Sequence, residues 1–277
     1  MHEWYAAPME GLTGWRWRQV QHEMFGGAAL YVTPFVSPNG NFSFQRKELE
    51  EMDPERNRGI PVVPQILTNR AEYFVWAAKE CRSRGWAQID LNLGCPSGTV
   101  TGKKKGAGLL RQPELLRQLL DGIFDALPDM KISVKTRIGW ERAEEWPALL
   151  ALLETYPICR LTVHPRVRTQ FYKGTADREV FRWTAEHTAL PLCYNGDVTT
   201  VRDLREMGEA FPDAAIMVGR GLVADPSLLR QATGGPAASL EELREFHDRL
   251  YGLYCRDFSG DVPVLHHMRE LWNYFSR

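Results

Sequence analysis

The chain has 277 residues, 44% of them hydrophobic and 25% charged, with a formal net charge of -1. That balance excludes a disordered or fibrous chain and gives no whole-molecule attraction to nucleic acid, although a neutral total can hide a local basic cluster. The five cysteines, Cys81, Cys95, Cys159, Cys193 and Cys255, are scattered and lack a CxxC pair, which argues against disulfides and structural zinc and for a reducing, cytoplasmic setting.

From the amino terminus, MHEWYAAPMEG shows no basic stretch followed by a long apolar run. No window reaches the ~18 consecutive apolar residues of a membrane span, so neither secretion nor insertion is expected. In chain order, β-rich runs at 4–7, 30–33, 62–67, 88–92, 131–136, 160–164, 192–194 and 215–218 predict eight strands. Between them, helical patterns cover 71–82, 113–126 with proline in its first turn, 144–155 and 201–211. Eight strands alternating with helices over ~230 residues predict an α/β fold, a (β/α)8 TIM barrel. An open doubly wound sheet is the competing layout, but APMEGLTG after the first strand is not the GxGxxG turn it would carry. After GGPAASLEELREF, with Ser239 as a helix cap, the texture changes, and a further helix is read at 264–275. The domain reading is a catalytic barrel over 1–235 and a small helical appendage over 236–277.

A barrel of this type places its working residues just past the C-terminal ends of its strands. Those ends read APMEG, PQIL, NLGCPSG, VKTRIGW, VHPRVR, YNGD and VGRG. Asn195, Gly196 and Asp197, with Gly219 and Arg220, follow the last two strands, where glycine lets backbone N–H groups approach a phosphate and Arg220 adds charge. Each is equally a turn of ordinary geometry. Lys135, in an apolar strand, suits an anionic ring or phosphate if it faces the mouth and is bland if it faces outward. His164 can donate to a ring carbonyl or serve as packing, and the Gln65 amide suits a heterocycle with both kinds of edge. No His, Asp or Glu cluster has metal-ligand spacing, so no metal is expected. Cys81, Cys159 and Cys193 read as small buried hydrophobes. Cys95, between Gly94 and Pro96 on a rim loop near cationic groups, is a candidate nucleophile or proton donor.

Taken jointly, APMEG, PQI, DLNLGCP, GAGLL, VKTRIGW, HPRVRTQFYKGTAD, NGD and GRG, in order over the first 221 residues, resemble the tRNA-dihydrouridine synthase family of bacteria. The resemblance implies an FMN enzyme that reduces a uridine of tRNA to 5,6-dihydrouridine, with NADPH as reductant. It implies flavin contacts from Pro8, Met9, Glu10 and Gln65, ring contacts from Lys135 and His164, phosphate contacts from Asn195, Gly196, Asp197, Gly219 and Arg220, and Cys95 as proton donor. RNA phosphates would meet Lys103, Lys104 and Lys105, with Arg137, Arg166 and Arg168; alone, the lysine run reads rather as a solvated loop. Between residues 100 and 182 there are 15 Lys and Arg against 10 Asp and Glu, an excess of 5 in a chain of net charge -1. The sequence departs from the family after the barrel, where relatives usually carry a longer helical domain and 42 residues with no lysine follow Gly235, so that either the appendage is trimmed or the chain continues, and at Pro165, where relatives often have glycine. A flavin barrel acting on a free small molecule and a non-catalytic tRNA-binding module are the alternatives.

Overall fold

The computed structural model describes residues 2–275. Its strands are β1 (Trp4–Ala6), β2 (Leu30–Val32), β3 (Val62–Val63), β4 (Gln65–Ile66), β5 (Gln88–Leu93), β6 (Lys131–Arg137), β7 (Arg160–His164), β8 (Leu192–Tyr194) and β9 (Ala215–Val218). They pair in the order β3-β2-β1-β9-β8-β7-β6-β5-β4, every pair parallel. The two ends of that order, β3 and β4, are halves of one extended segment parted at Pro64, so the sheet closes on itself as an eight-stranded barrel.

This corrects the single strand expected at 62–67. Pro64 has no N–H to give to a ladder, yet its carbonyl still accepts from Asp90 N at 2.9 Å while Val63 O accepts from Thr33 N at 3.0 Å. The segment thus hands its pairing from β2 to β5 at the proline. The remaining strands fall within a residue of expectation at each end.

Side chains alternate across the barrel wall. Leu91, Ile132, Val134, Leu161, Val163, Ile216 and Val218 face the surrounding helices and join one continuous core. Tyr5, Ala7, Val32, Cys193, Ala215 and Met217 form a small separate cluster on the opposite face. Register then sets Asp90 beside Ser133, Asn92 beside Lys135 and Arg137 beside His164.

The helices at Ala71–Ser83, Pro113–Ala126 and Val201–Ala210 occupy the expected places. The one expected at 144–155 is shorter: Pro147, near its start, limits the α-helix to Trp146–Leu153, after a 3-10 turn at Ala143–Glu145. Helices at Trp15–Met24 and Arg178–His187 were not legible; Asp177 caps the second, accepting from Glu179 N and Val180 N at 3.0 Å. Ser239 caps Leu240–Asp257 in a reciprocal box with Glu242. That helix packs on Trp15–Met24, joined by an Arg16–Asp257 ion pair, and Asp261–Phe275 packs on Arg220–Ala224 beside the barrel mouth. Buried Phe246, Leu250, Tyr254, Met268 and Leu271 make this C-terminal pair continuous with the core of the barrel. Among the described residues no helix is long and apolar enough to cross a membrane.

Candidate active site

At the C-terminal ends of the strands lies a cavity of about 310 Å³. Pro8, Met9, Glu10, Gln65, Cys95, Lys135, His164, Asn195, Gly196, Asp197, Gly219 and Arg220 all line it, together with Asn92, Arg137, Tyr172 and Tyr274. Polar groups from most strand ends therefore converge on one space with Ala7, Met9 and Met217 as apolar wall.

The wall below the mouth is a hydrogen-bonded network. Gln65 Nε2 donates to Asp90 Oδ2 at 2.8 Å, Asn92 Nδ2 to Gln65 Oε1 at 2.7 Å, and Ser133 Oγ to Asp90 Oδ1 at 2.7 Å. Burial raises the Asp90 carboxyl to about 6 against the pull of those two donors. Lys135 is lowered to about 8 by burial, reinforced by Arg137 and countered by Asp90. Its ammonium enters no hydrogen bond or ion pair among the described residues, so it has donors to offer a ligand.

Cys95 sits on a loop pinned from several sides. Asn92 Oδ1 accepts from Gly94 N at 3.0 Å and from Cys95 N at 2.9 Å, an Asx turn at the end of β5. Arg137 Nε donates to Gly94 O at 3.1 Å, and Arg168 Nε to Pro96 O at 3.1 Å. Gly106, at φ +55°, closes the loop with Ala107 N donating to Cys95 O at 3.1 Å, and a β-carbon there would lie 3.0 Å from that oxygen. The thiol is pushed up from its ordinary 9.0 by burial, with the Ser97 N–H and Arg137 offsetting part of the rise. It is therefore a protonated thiol at neutral pH, suited to give a proton rather than to attack.

At the opposite rim Asp197, at φ +45°, accepts from Arg166 Nη2 at 2.6 Å, Arg220 Nη2 at 2.8 Å and Ala176 N at 2.7 Å. Arg166 in turn reaches His164 Nε2 at 3.1 Å. A guanidinium can only donate, so Nε2 is the bare nitrogen and Nδ1 carries the ring proton. Burial, then Arg137 and Lys135, lower the His164 imidazole well below 6.5, so the ring is neutral. Gly221 keeps the two rim loops in contact: a β-carbon there would meet Val198 O at 2.5 Å and Thr199 Cα at 2.7 Å.

Two expectations need correction. Arg137 and Arg166, read as RNA contacts, are each 1% exposed. Arg137 donates to the carbonyls of Gly94, Val167 and Phe171, and Arg166 to those of Lys173 and Gly174, so their donors hold loops together. Arg168 is half-buried, stacked on Trp140, with its Nη2 on Thr101 Oγ1 at 3.3 Å. Lys103 and Lys104 are exposed, while Lys105 is half-buried and donates to Ser37 Oγ at 2.9 Å. Cys81 and Cys193 are buried, but Cys159 is half-buried.

Sequence reasoning missed Asp90, Asn92, Tyr172 and Tyr274. The asparagine two residues before the Gly-Cys pair was a usable signal for a loop cap. Tyr172, 55% exposed, lies over Arg137 and Arg220 with ring distances of 5.6 and 5.0 Å and nothing in its local sequence marks it. Among the described residues no group of three or more His, Cys, Asp or Glu could hold a metal ion.

Comparison with known proteins bears on this arrangement. The dihydrouridine synthase family model matches residues 5–277. A probable tRNA-dihydrouridine synthase of Rhizobium leguminosarum bv. phaseoli is 29% identical over 265 residues, covering 95% of this chain and 82% of that protein. The tRNA-dihydrouridine synthase B of Proteus vulgaris is 31% identical over 263 residues, 89% of this chain and 80% of its own. Among solved structures, morphinone reductase superposes with a TM-score of 0.59 at 12% identity over 86% of this chain and 87% of its own. A 2-naphthoyl-CoA reductase gives 0.62 at 13%, over 85% of this chain and 50% of its own. Those two likenesses speak for the barrel fold alone. With the family model running from the first strand through the C-terminal helices, the chain belongs to the dihydrouridine synthase family, a family of oxidoreductases.

Proposed function

We propose that this chain binds FMN across the barrel mouth and reduces a uridine of tRNA to 5,6-dihydrouridine, with NADPH restoring the reduced flavin. The observation that carries the reading is the convergence of a protonated thiol, an unpartnered lysine and an arginine-lined rim on one cavity, in a member of this family. The names of the curated relatives, tRNA-dihydrouridine synthases, support the RNA substrate.

The donor set suits FMN. Arg220, held in place by Asp197, and the backbone N–H groups of 196–198 and 219–220 offer a phosphate site. Lys135 would stabilise negative charge on the ring, and His164 Nδ1–H and the second Gln65 Nε2 hydrogen are further donors. Met9, Met217 and Ala7 supply apolar contact. When bound, FMN supplies hydride to one carbon of the uracil double bond. Cys95 holds the proton that completes the reduction at the other carbon, and the Asn92 cap with Arg137 and Arg168 fixes where that thiol stands. A uracil inside folded RNA must leave its stack to enter such a slot. Residues 1–235 carry flavin binding and catalysis in this scheme, the helical appendage that follows borders the mouth through Tyr274, and a reducing cytoplasm keeps the thiol available.

The test is direct. Purified protein should be yellow and release FMN on denaturation. Incubated with NADPH and an unmodified tRNA transcript, it should add two hydrogens to a uridine, located by mass mapping. Flavin-loaded protein that leaves every uridine unreduced refutes the assignment, and equal rates with NADH refute the nucleotide preference.

A further inference from the structure

We propose that Phe42 and Tyr73, flanked by Arg70, Lys103 and Lys104, form a stacking platform for an unpaired nucleotide of the RNA, next to but outside the catalytic cavity. This rests on the RNA reading above and adds to it a place for the strand that flanks the target base.

The loops following β2, β4 and β5 all emerge at the C-terminal face of the barrel. The first carries Phe35 at the cavity rim and then Phe42 at its tip. Contacts make the surface continuous from tip to thiol loop. Phe42 meets Tyr73 edge-on at 5.2 Å and Trp76 at 6.2 Å, and the Arg70 guanidinium lies over Tyr73 at 5.4 Å. Asn69 Nδ2 donates to Lys103 O at 3.0 Å and Lys105 Nζ to Ser37 Oγ at 2.9 Å, tying all three loops together around the excursion that holds Cys95.

Phe42 is 44% exposed although two aromatic rings lie beside it, and its φ of +50° is a conformation that a bulky side chain disfavours. The tip is built to hold it there. Asn39 Oδ1 accepts from Asn41 N at 2.9 Å, Asn39 Nδ2 donates to Ser43 Oγ at 2.8 Å, and Phe42 N donates to Asn39 O at 3.1 Å. An aromatic face so presented offers stacking to a base of any sequence.

Charge selects nucleic acid over an apolar protein partner. Arg70, over Tyr73, is exposed, as are Lys103 and Lys104 on the loop that Asn69 ties to it, and Glu72 pairs with Arg70 at 3.7 Å. The other flank of the mouth is bordered by the C-terminal segment, whose residues 236–277 hold 5 Arg and no Lys against 7 acids, a net of -2. An RNA strand crossing the mouth is thereby favoured toward the side of the second to fourth barrel strands.

The experiment measures binding of an unmodified tRNA transcript to the FMN-loaded protein across a salt series, for wild type, Phe42→Leu, Phe42→Trp and the double variant Lys103→Ala/Lys104→Ala. Phe42→Leu keeps apolar contact with Trp76 and removes the π face. It should weaken binding about 5- to 30-fold, the ~1–2 kcal/mol end of the range for one stacked base, without changing the salt slope or the flavin spectrum. Phe42→Trp should bind as wild type or tighter. The double lysine variant should lower the slope of log K against log salt by about 0.7 for each phosphate it no longer neutralises. Wild-type affinity in Phe42→Leu overturns the platform while leaving the RNA reading intact. Flavin-loaded wild type that does not bind tRNA overturns that reading, and the platform with it.

Discussion

Replacing Asp197 by asparagine keeps the side chain's size and removes one charge whose partners are known. Arg166, 1% exposed, would lose its counter-charge at 2.6 Å and be left with two backbone carbonyls and the His164 ring. Removing one member of a buried ion pair costs about 3–5 kcal/mol. The Asp197 side chain is 32% exposed, so water softens the loss; we place it at about 2–3 kcal/mol, with less than about 1 kcal/mol more from the better-solvated Arg220. At about 2–4 °C per kcal/mol for large domains, a loss of about 3 kcal/mol lowers the thermal midpoint by about 6–12 °C. The pH dependence gives a second reading. Burial pushes the Asp197 carboxyl up, but Arg166, the Ala176 N–H and Arg220 outweigh it and hold the group below its ordinary 3.8. A carboxyl lower in the folded than in the unfolded state stabilises above its unfolded value, and that contribution vanishes as pH falls through the folded one. The gap between wild type and Asp197→Asn should be full at neutral pH and start to close below about pH 4. Thermal unfolding followed by circular dichroism along a pH series measures both. A gap under about 0.5 kcal/mol at neutral pH, or one unchanged by acid, would refute the ion-pair account.

Cys95→Ala should retain flavin and slow reduction of tRNA by about 10²–10⁴-fold, and wild-type turnover should stay flat through neutrality and fall above pH 9, where the raised thiol ionises; undiminished single-turnover reduction by the variant would contradict the proton-donor role. Lys135 is charged below about 8, so FMN affinity, followed by quenching of flavin fluorescence, should weaken as pH rises through that value, and Lys135→Met should bind more weakly at neutral pH and lack the dependence. Gly221→Ala places a β-carbon 2.5 Å from Val198 O, so the 195–199 loop must shift; overpacking should cost about 1–3 kcal/mol of stability, read as a lowered thermal midpoint, and FMN should bind more weakly in the same titration, while an unchanged midpoint would contradict the close approach.

What the sequence revealed and what it hid divide along a physical line. Strand ends were legible because the apolar runs of a parallel barrel give way to polar groups where the wall stops, so Lys135, His164, Asn195 and Gly219 could be named as candidates by position, though each also read as packing or turn geometry. Pro64 was visible, but its effect was not: a missing N–H interrupts one strand, and only closure of the sheet makes that interruption harmless, since the two halves serve different neighbours. The arginines misled because sequence shows charge without direction. Arg137 ends β6 and Arg166 lies two residues past β7, at the ring of positions where backbone carbonyls from several loops crowd together. A guanidinium there finds more acceptors in the protein than any phosphate could offer, and being planar with five donors it can satisfy several at once. Lys103 and Lys104 sit instead on an excursion ten residues beyond β5, where the chain has left the barrel wall and water is the main neighbour. Distance along the chain from the strand end therefore separates Arg137 and Arg166, which build the mouth, from Lys103 and Lys104, whose charge stays in water.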